Sequence, residues 1–352
     1  MVKLFGKEFE MDELRQYVGS MNQLAGARVF EYKNGRADGI KGIDVKTGSG
    51  FRFTVLPDRG MDIADAEYCG KSLAWMCKNN LAAPQYFENG GLGFLRSFNG
   101  GLITTCGLTQ AGDPGVEGDE VLGIHGRISH LPAEIINVEE NWCGDDYVIK
   151  LSGKIRESRL YAENLVLKRE IICKMGESKV LINDLIENEG YNESPFMILY
   201  HINFGFPIVS KETRLYSSAI KVEPFNRDAR EGDGEYSLFD RPTKGYQWQG
   251  FMHIMPQDRE KVYAGLVNES IDFGGYVAYS PEQMPCFNEW KMMGQQDYVV
   301  GLEPGINIPE GRIEARRNGR LTTLKPGERY EINFEIGVLE DRNAIERFKA
   351  MI

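Results

Sequence analysis

The chain has little histidine, no paired cysteine motif, no block of basic residues and no long apolar run. Only four of its 352 residues are histidine. The six cysteines form no Cys-x-x-Cys pair, which argues against a structural zinc site or a thioredoxin-type redox motif. No window approaches the apolar length of a membrane span, and the first residues lack the apolar core of a signal peptide. We therefore predict a cytoplasmic protein with reduced thiols.

The charge balance is acidic. There are 41 basic and 52 acidic residues, so the formal net charge is −11. Such a surface repels phosphate backbones and anionic lipids, so neither nucleic acid nor a membrane is an expected partner. The oligomeric state stays open, with a homodimer as one option.

Alternation of apolar and polar residues recurs along the chain and predicts β-strands. In RYEINFEIGV, every second side chain from Tyr330 to Val338 is apolar. The segments LVLKREIICK and KVLINDLIENEG flank a turn at Gly176 and predict a hairpin. We expect an all-β fold, a single large and mostly antiparallel domain over residues 1–352.

Helical patterns are confined mainly to the two ends. Asp12 is a candidate cap for a helix over residues 13–18, and Asp341 for one over residues 343–351. The most irregular region runs from Trp75 to His125 and is rich in Gly, Asn and Pro. Long connections of this kind often carry function. RDAREGDGEYS is predicted to be an exposed loop.

Two of the four histidines lie in GIHGRISH, as His125 and His130. Imidazole titrates near neutrality, so His125 in its glycine setting is either a structural residue or a working acid/base group. YHINFGFP places His201 and Asn203 on one face of a predicted strand. They form either part of a site or a hydrogen-bonded pair that orders the sheet.

A carboxylate and an aromatic segment provide further candidates. Glu303, in YVVGLEPGIN, follows a strand-like run, where burial would raise its pKa; the alternative is an ordinary surface glutamate. CFNEWKMMG contains the amide Asn288, the carboxylate Glu289 and Trp290, a combination that suits sugar recognition and equally suits a protein interface.

Three arginines stand beside these motifs. Arg59, Arg96 and Arg127 could each clamp hydroxyls or a carboxylate. The alternative for each is a structural Arg–Asp pair beneath a loop, and for Arg59 we favour that reading, with Asp62 as its partner.

Taken in order, His125 before glycine, His201 opening HINFG and Glu303 in GLEPG resemble the galactose mutarotase-like (aldose 1-epimerase) superfamily. The phrases DRGMDI, FNGGLITTCGL, GIHGRIS, YHINFGFP and NEWK with GLEPG are similar to its bacterial branch known as a domain of unknown function (DUF4432-like). The resemblance covers approximately Gly39 to Val338. It implies a large β-sandwich, the supersandwich, active as one domain.

The resemblance also implies a reaction and roles. Opening a sugar ring at C1 needs a base for the C1 hydroxyl and an acid for the ring oxygen, and no metal or organic cofactor. By resemblance, Glu303 is the base, His201 the acid, His125 an assistant near the ring oxygen, and Arg96 a hydroxyl contact. The expected partner is thus a small sugar or sugar derivative.

The chain departs from the family pattern in two places. Asn203 precedes Phe204, whereas the family usually places the asparagine after the aromatic residue. The family's sugar-binding aspartate has no clear match; His253 or Asp258 is a possible substitute. Which sugar is bound therefore stays open.

Two other function classes stay open as well. Two imidazoles and a carboxylate could bind a divalent ion in a metal-dependent sugar isomerase or C-epimerase. The same fold could also serve a sugar-binding protein without catalysis, because fold does not fix function.

Overall fold

The computed structural model describes residues 1–232 and 235–352, which contain 26 β-strands and four α-helices. The strands are β1 (Val2–Leu4), β2 (Lys7–Phe9), β3 (Gly26–Glu31), β4 (Lys41–Lys46), β5 (Phe51–Leu56), β6 (Asp62–Tyr68), β7 (Lys71–Ser72), β8 (Trp75–Met76), β9 (Gly100–Gly101), β10 (Ile103–Leu108), β11 (Gly115–Glu117), β12 (Glu120–Leu122), β13 (Ala133–Cys143), β14 (Asp146–Ser158), β15 (Asn164–Lys174), β16 (Lys179–Asn188), β17 (Ser194–Phe204), β18 (Thr213–Ser217), β19 (Lys221–Pro224), β20 (Gln249–Ile254), β21 (Val262–Asn268), β22 (Phe273–Tyr279), β23 (Cys286–Met293), β24 (Tyr298–Gly305), β25 (Thr322–Leu324) and β26 (Arg329–Leu339). The helices are α1 (Met11–Tyr17), α2 (Arg227–Glu231), α3 (Arg312–Arg317) and α4 (Arg342–Lys349).

Two large antiparallel sheets form the body of the fold. One has eight strands in the order β13-β14-β15-β16-β26-β22-β21-β18. The other has seven strands, in the order β10-β17-β24-β23-β20-β19 with β25 paired to β17. A five-stranded sheet, β3 to β7, lies beside them. This architecture confirms the predicted all-β fold, a large and mostly antiparallel β-sandwich.

The two large sheets pack face to face through alternate side chains of their central strands. Tyr200 of β17 packs against Phe334 of β26, with ring centroids 4.4 Å apart. Tyr279 of β22 stacks on Phe287 of β23 at 5.9 Å. Because strand side chains alternate, the even-numbered residues of β17 and the odd-numbered residues of β23 face the core. His201 therefore lies on the opposite, outer face of the seven-stranded sheet.

A buried ionic cluster joins the sheets. Arg169 of β15 contacts Asp62 of β6 at 3.0 Å and Asp184 of β16 at 2.7 Å. The hydroxyl of Tyr200 donates a hydrogen bond to Asp184 at 2.6 Å. The predicted partner of Asp62 was Arg59, so this part of the sequence interpretation was wrong: Arg169 is the arginine that binds it. Buried charges need such partners because unpaired ones are strongly destabilising.

The hairpin predicted around Gly176 is confirmed as β15 and β16, which pair antiparallel. Gly176 has a φ of +84°, and a Cβ there would lie 2.4 Å from the carbonyl oxygen of Lys3. Both observations explain the glycine at this turn.

The helix predictions are confirmed in part. Asp341 caps α4, because its Oδ1 accepts a hydrogen bond from the backbone N–H of Ala344 at 2.7 Å. Asp12 caps nothing: α1 begins one residue before it and Glu10 occupies the cap position. RDAREGDGEYS was predicted to be a loop throughout, but its first residues form α2, while residues 233–234 lie outside the described part of the chain. Among the described helices, none has the length and apolarity needed to cross a membrane.

Candidate active site

His201 and Glu303 lie opposite each other on neighbouring strands. In the antiparallel pairing of β17 with β24, Ile202 faces Leu302, which sets His201 across from Glu303. The Nε2 atom of His201 is 3.1 Å from Oε1 of Glu303. Both side chains are almost fully buried. The sheet register therefore creates an imidazole–carboxyl pair on the outer face of the seven-stranded sheet.

Gly301 provides the space beside this pair. A Cβ at this position would lie 3.0 Å from Cε1 of His201 and 3.1 Å from Oε1 of Glu303. Both distances are tighter than ordinary contacts, so a larger residue would press on both functional groups. The glycine thus keeps the pair in place and leaves room above it.

His125 approaches the His201–Glu303 pair from a loop. The backbone conformation of this loop explains why glycine follows His125 in GIHGRISH. His125 has a φ of +60°, a left-handed conformation that is uncommon outside glycine. Its N–H donates to the carbonyl of Gly112 at 2.9 Å, which holds this conformation. A Cβ on Gly126 would lie 2.3 Å from the carbonyl oxygen of Gln110, so only glycine fits there. The His125 ring lies edge-on to His201, with centroids 5.8 Å apart.

The three groups lie in a cavity of about 620 Å³. Its wall is formed largely by the irregular region predicted to carry function and by the outer face of the sheet. The aromatic lining residues are Trp75, Phe94, Phe98, Phe225, Trp248, Phe251 and Trp290, and the polar ones include Lys78, Asn79, Asp113, Asn288, Glu289 and Asp297. An aromatic cavity with a few convergent polar groups is the usual form of a small-molecule site.

Burial sets the protonation of the site. It raises the pKa of Glu303 to about 8, and the charge of Glu289 acts in the same direction. It lowers the pKa of His201 to about 3, and the charge of His125 adds to this effect. Burial likewise lowers the pKa of His125 to about 4. At neutral pH, the carboxyl of Glu303 is therefore mostly protonated, and its Oε1 lies 3.1 Å from Nε2 of a neutral His201.

Trp290, a candidate sugar contact from the sequence, lines the cavity. It lies on β23 opposite Gly301, and its ring is 5.2 Å from that of His201. It also makes an edge contact with Trp75 at 6.0 Å. The space left by Gly301 thus lies under an indole ring, which suits the apolar C–H face of a sugar.

Glu289 and His253 form a buried pair behind this surface. His253 Nε2 is 3.0 Å from Oε2 of Glu289, and its Nδ1 is 3.2 Å from the hydroxyl of Ser217. His253 packs between Tyr236 and Phe287, which belong to the core side of the sheet. Although Glu289 contributes to the cavity lining, the structure does not bring His253 there, contrary to the predicted sugar contact.

Asn203 is a structural neighbour of the site. Its side-chain amide donates to the carbonyls of Gly101 at 3.1 Å and of His201 at 3.0 Å. These bonds tie β17 to β9 and fix the backbone that carries His201. Asn203 is fully buried and is not among the residues that line the cavity.

Two of the predicted arginines lie away from the described cavity lining. The side chain of Arg96 is 73% exposed and pairs with Glu88 at 3.4 Å. Arg127 lies between Glu120 and Glu157, at 3.9 and 4.0 Å. Neither reaches the described walls of the cavity, so the sequence prediction of sugar contacts by these side chains is not supported by their positions.

Arg59 and His130 are structural. Arg59 is buried and donates to the carbonyls of Ser129 at 2.8 Å and Ala82 at 2.7 Å. Its guanidinium is also 3.0 Å from Nε2 of His130, whose ring stacks on Phe87 at 4.2 Å. These contacts hold together the loops that form the wall of the cavity, so Arg59 supports the site without lining it.

Sequence reasoning missed several lining residues. Trp75, Phe94 and Phe98 lie within the irregular region, where no period marks which side chains point inward. Asn288, the amide of CFNEWKMMG, does line the cavity, on the same face of its strand as Trp290.

The metal-site hypothesis receives no added support from the arrangement. Within residues 1–232 and 235–352, no group of three or more His, Cys, Asp or Glu side chains is arranged to hold a metal ion. The six cysteines are free thiols, as predicted.

The chain is similar to known proteins over most of its length. A family model described as a domain of unknown function (DUF4432) matches residues 37–338. A putative aldose 1-epimerase from Klebsiella pneumoniae has 24% identity and a TM-score of 0.89, over 94% of this chain and 89% of that one. No curated protein matches the chain.

Two further solved structures share the fold at lower identity. A galactose mutarotase-like protein from Clostridium acetobutylicum has 16% identity and a TM-score of 0.59, over 90% of this chain and 99% of that one. A galactose 1-epimerase from Lactobacillus acidophilus has 13% identity and a TM-score of 0.56, over 89% and 98%. At these identities, the likeness establishes the fold, and function has to be argued from the site.

Proposed function

The chain belongs to the family described as a domain of unknown function (DUF4432), and from its cavity we propose that it is an aldose 1-epimerase that interconverts the anomers of a sugar. The observation that carries this proposal is the contact of 3.1 Å between His201 and Glu303 at the base of an aromatic cavity. Solved structures named as epimerases and mutarotases share the fold, which supports the reaction class.

The geometry suits ring opening at C1. The hydroxyl that loses a proton and the ring oxygen that gains one are attached to the same carbon, so the acid and the base must lie close together. His201 and Glu303 meet this requirement. We assign to His125, whose ring lies beside that of His201, the contact with the ring oxygen region. Trp290 supplies an apolar surface for the sugar ring.

Anomer exchange needs one group with a proton and one without, and the pair has one proton to share. At neutral pH, the pair carries one proton, which lies on Glu303 in the ligand-free cavity. The proposed roles of carboxylate base and imidazolium acid need that proton on Nε2 of His201. The ligand-free cavity disfavours this state, because the pKa of Glu303 is about 8 and that of His201 about 3, so the bound sugar has to stabilise the charged pair. Each acid–base group of this kind contributes about 10²–10⁴-fold to the rate.

The test is anomer exchange measured by NMR saturation transfer on a panel of hexoses, pentoses, uronates and sulfonated sugars. Glu303→Gln and His201→Asn should each lower kcat by roughly 100-fold or more, with far less effect on KM. Glu331→Gln, on the exposed face of β26, is the matched control and should behave as wild type. A folded Glu303→Gln protein with wild-type turnover would refute the mechanism.

The same assay separates the other function classes. A sugar that binds without accelerated exchange in the wild-type protein indicates a binding protein. Resonances of a different sugar, rather than of the second anomer, indicate an isomerase or C-epimerase.

A further inference from the structure

Asn288 is a buried amide without a hydrogen-bonding partner. Its side-chain nitrogen and oxygen are both buried, and neither has a partner among the described residues. The residue is 4% exposed and lines the cavity. Buried amides in folded proteins nearly always have partners, because an unsatisfied one is destabilising. An amide with both ends free in a ligand cavity therefore points to a ligand that satisfies it.

The position of Asn288 relates it directly to the proposed catalytic pair. In the register of β23 with β24, Asn288 lies opposite Glu303. His201 lies opposite Glu303 on the other side, so the three side chains form one row across three adjacent strands. Alternation along β23 puts Asn288 and Trp290 on the same face, toward the cavity. A molecule resting on Trp290 and reaching Glu303 would also meet Asn288.

The chemistry of this position favours an amide over a carboxylate. The charge of Glu289 already helps to raise the pKa of Glu303, and a second carboxylate at position 288 would add to that effect. An amide is neutral and leaves Glu303 able to lose its proton. It also presents a donor and an acceptor on one planar group.

We propose that Asn288 binds two adjacent hydroxyls of the sugar, accepting a hydrogen bond from one and donating to the other, and so orients the ring over Glu303 and His201. The proposal rests on the proposed function only in naming a sugar as the ligand. Asn288 would act as a specificity-determining contact, since a sugar that lacks either hydroxyl leaves one end of the amide unsatisfied.

The test combines variants of Asn288 with deoxy sugars. Binding of D-galactose, or of the panel sugar that binds more tightly, is measured by titration calorimetry beside its analogues deoxygenated at one carbon at a time. Wild type should lose about tenfold to 100-fold in affinity for two analogues, modified at neighbouring carbons. Asn288→Leu should bind the parent sugar as weakly as wild type binds those analogues, with no further loss when either hydroxyl is removed.

Two additional variants keep the test decisive. Asn333→Leu makes the same substitution on an exposed position of β26 and should leave every affinity unchanged. Asn288→Asp has nearly the same shape and retains acceptors but no donor, so it covers the case in which Asn288→Leu does not fold. We call the loss of affinity on removing a hydroxyl the coupling of Asn288 to that hydroxyl. Asn288→Asp should keep the coupling to one hydroxyl and lose the coupling to the other.

Parent-sugar affinity within twofold of wild type for the folded Asn288 variants would overturn the proposal, as would coupling to fewer than two hydroxyls or to two that are not neighbours. Because these are binding measurements, they are independent of turnover. Coupling without anomer exchange would refute the proposed epimerase and leave the role of Asn288 standing. Anomer exchange without coupling would refute the role of Asn288 and leave the proposed epimerase standing.

Discussion

Replacing Glu303 by glutamine should make the protein more stable at high pH. A buried carboxyl whose pKa is raised from 4.5 to about 8 keeps its proton in the folded state at pH values where the unfolded chain releases it. Between these two values, the native state therefore binds more protons than the unfolded state. The free energy of unfolding then falls as pH rises, and the loss is complete above pH 8.

The magnitude follows from the size of the shift. One proton of difference changes the free energy of unfolding by about 1.4 kcal/mol per pH unit, so the window from pH 4.5 to 8 corresponds to at most roughly 5 kcal/mol. Glutamine does not titrate and is nearly isosteric with glutamic acid, so its amide occupies the same place beside Nε2 of His201. The variant should thus retain the local structure and lose only this pH dependence.

The histidines act in the acidic range. Their pKa values of about 3 for His201 and about 4 for His125 lie below the ordinary 6.5, so the unfolded chain gains protons first as pH falls below 6.5. This lowers stability toward acid pH. Both proteins retain the two histidines, so the difference between them isolates Glu303.

The assay is urea unfolding followed by tryptophan fluorescence at pH 5, 6.5, 8 and 9. The unfolding free energy of Glu303→Gln relative to wild type should rise by several kcal/mol across this series. Glu331→Gln, on the exposed face of β26, should show no such trend. A constant difference between Glu303→Gln and wild type would mean that Glu303 is ionised at neutral pH, and the proton count of the proposed mechanism would be wrong.

Three further predictions concern other parts of the molecule. Trp290→Ala should weaken sugar binding about tenfold because it removes the apolar surface beside His201. Arg96→Ala should leave KM within twofold because its exposed side chain pairs with Glu88. Equal effects of the two substitutions on KM would show that the sugar does not bind in this cavity. Dialysis against a chelator should leave anomer exchange unchanged, and a loss of more than about tenfold that metal restores would favour the metal-dependent isomerase. Asp341→Ala should cost about 1 kcal/mol and lower Tm by a few degrees in a thermal scan, because the cap of α4 is lost; an unchanged Tm would show that packing alone fixes this helix.

The sequence predicted the architecture well because strands exposed on one face carry a clear alternation. One example is β26 (Arg329–Leu339), which the sequence predicted from RYEINFEIGV. Buried and exposed side chains alternate in its first half. The family resemblance carried by the order of His125, His201 and Glu303 also implied a common site, and the structure brings the three together in one cavity.

The arginines show where sequence proximity misleads. Arg127 is two residues from His125, yet the left-handed turn at His125 and Gly126 sends the chain away from the cavity, and Arg127 ends between two glutamates. Arg59 lies three residues from Asp62, but the arginine that pairs with Asp62 is Arg169, more than 100 residues later. Such outcomes depend on long-range packing, which no local pattern records.

The orientation of β23 could not be determined from its sequence. Its residues from Phe287 to Glu289 are all buried, since one face packs on the core and the other forms the base of the cavity. A strand buried on both faces carries no alternation from which its orientation can be determined. Both Asn288 and Glu289 line the cavity, but Glu289 also contacts His253 on the core side, while Asn288 is opposite Glu303. The sequence named both polar groups without showing which of them shares a face with Trp290. In a sheet whose two faces are both covered, the residue to examine first is the one that shares a face with a known site residue.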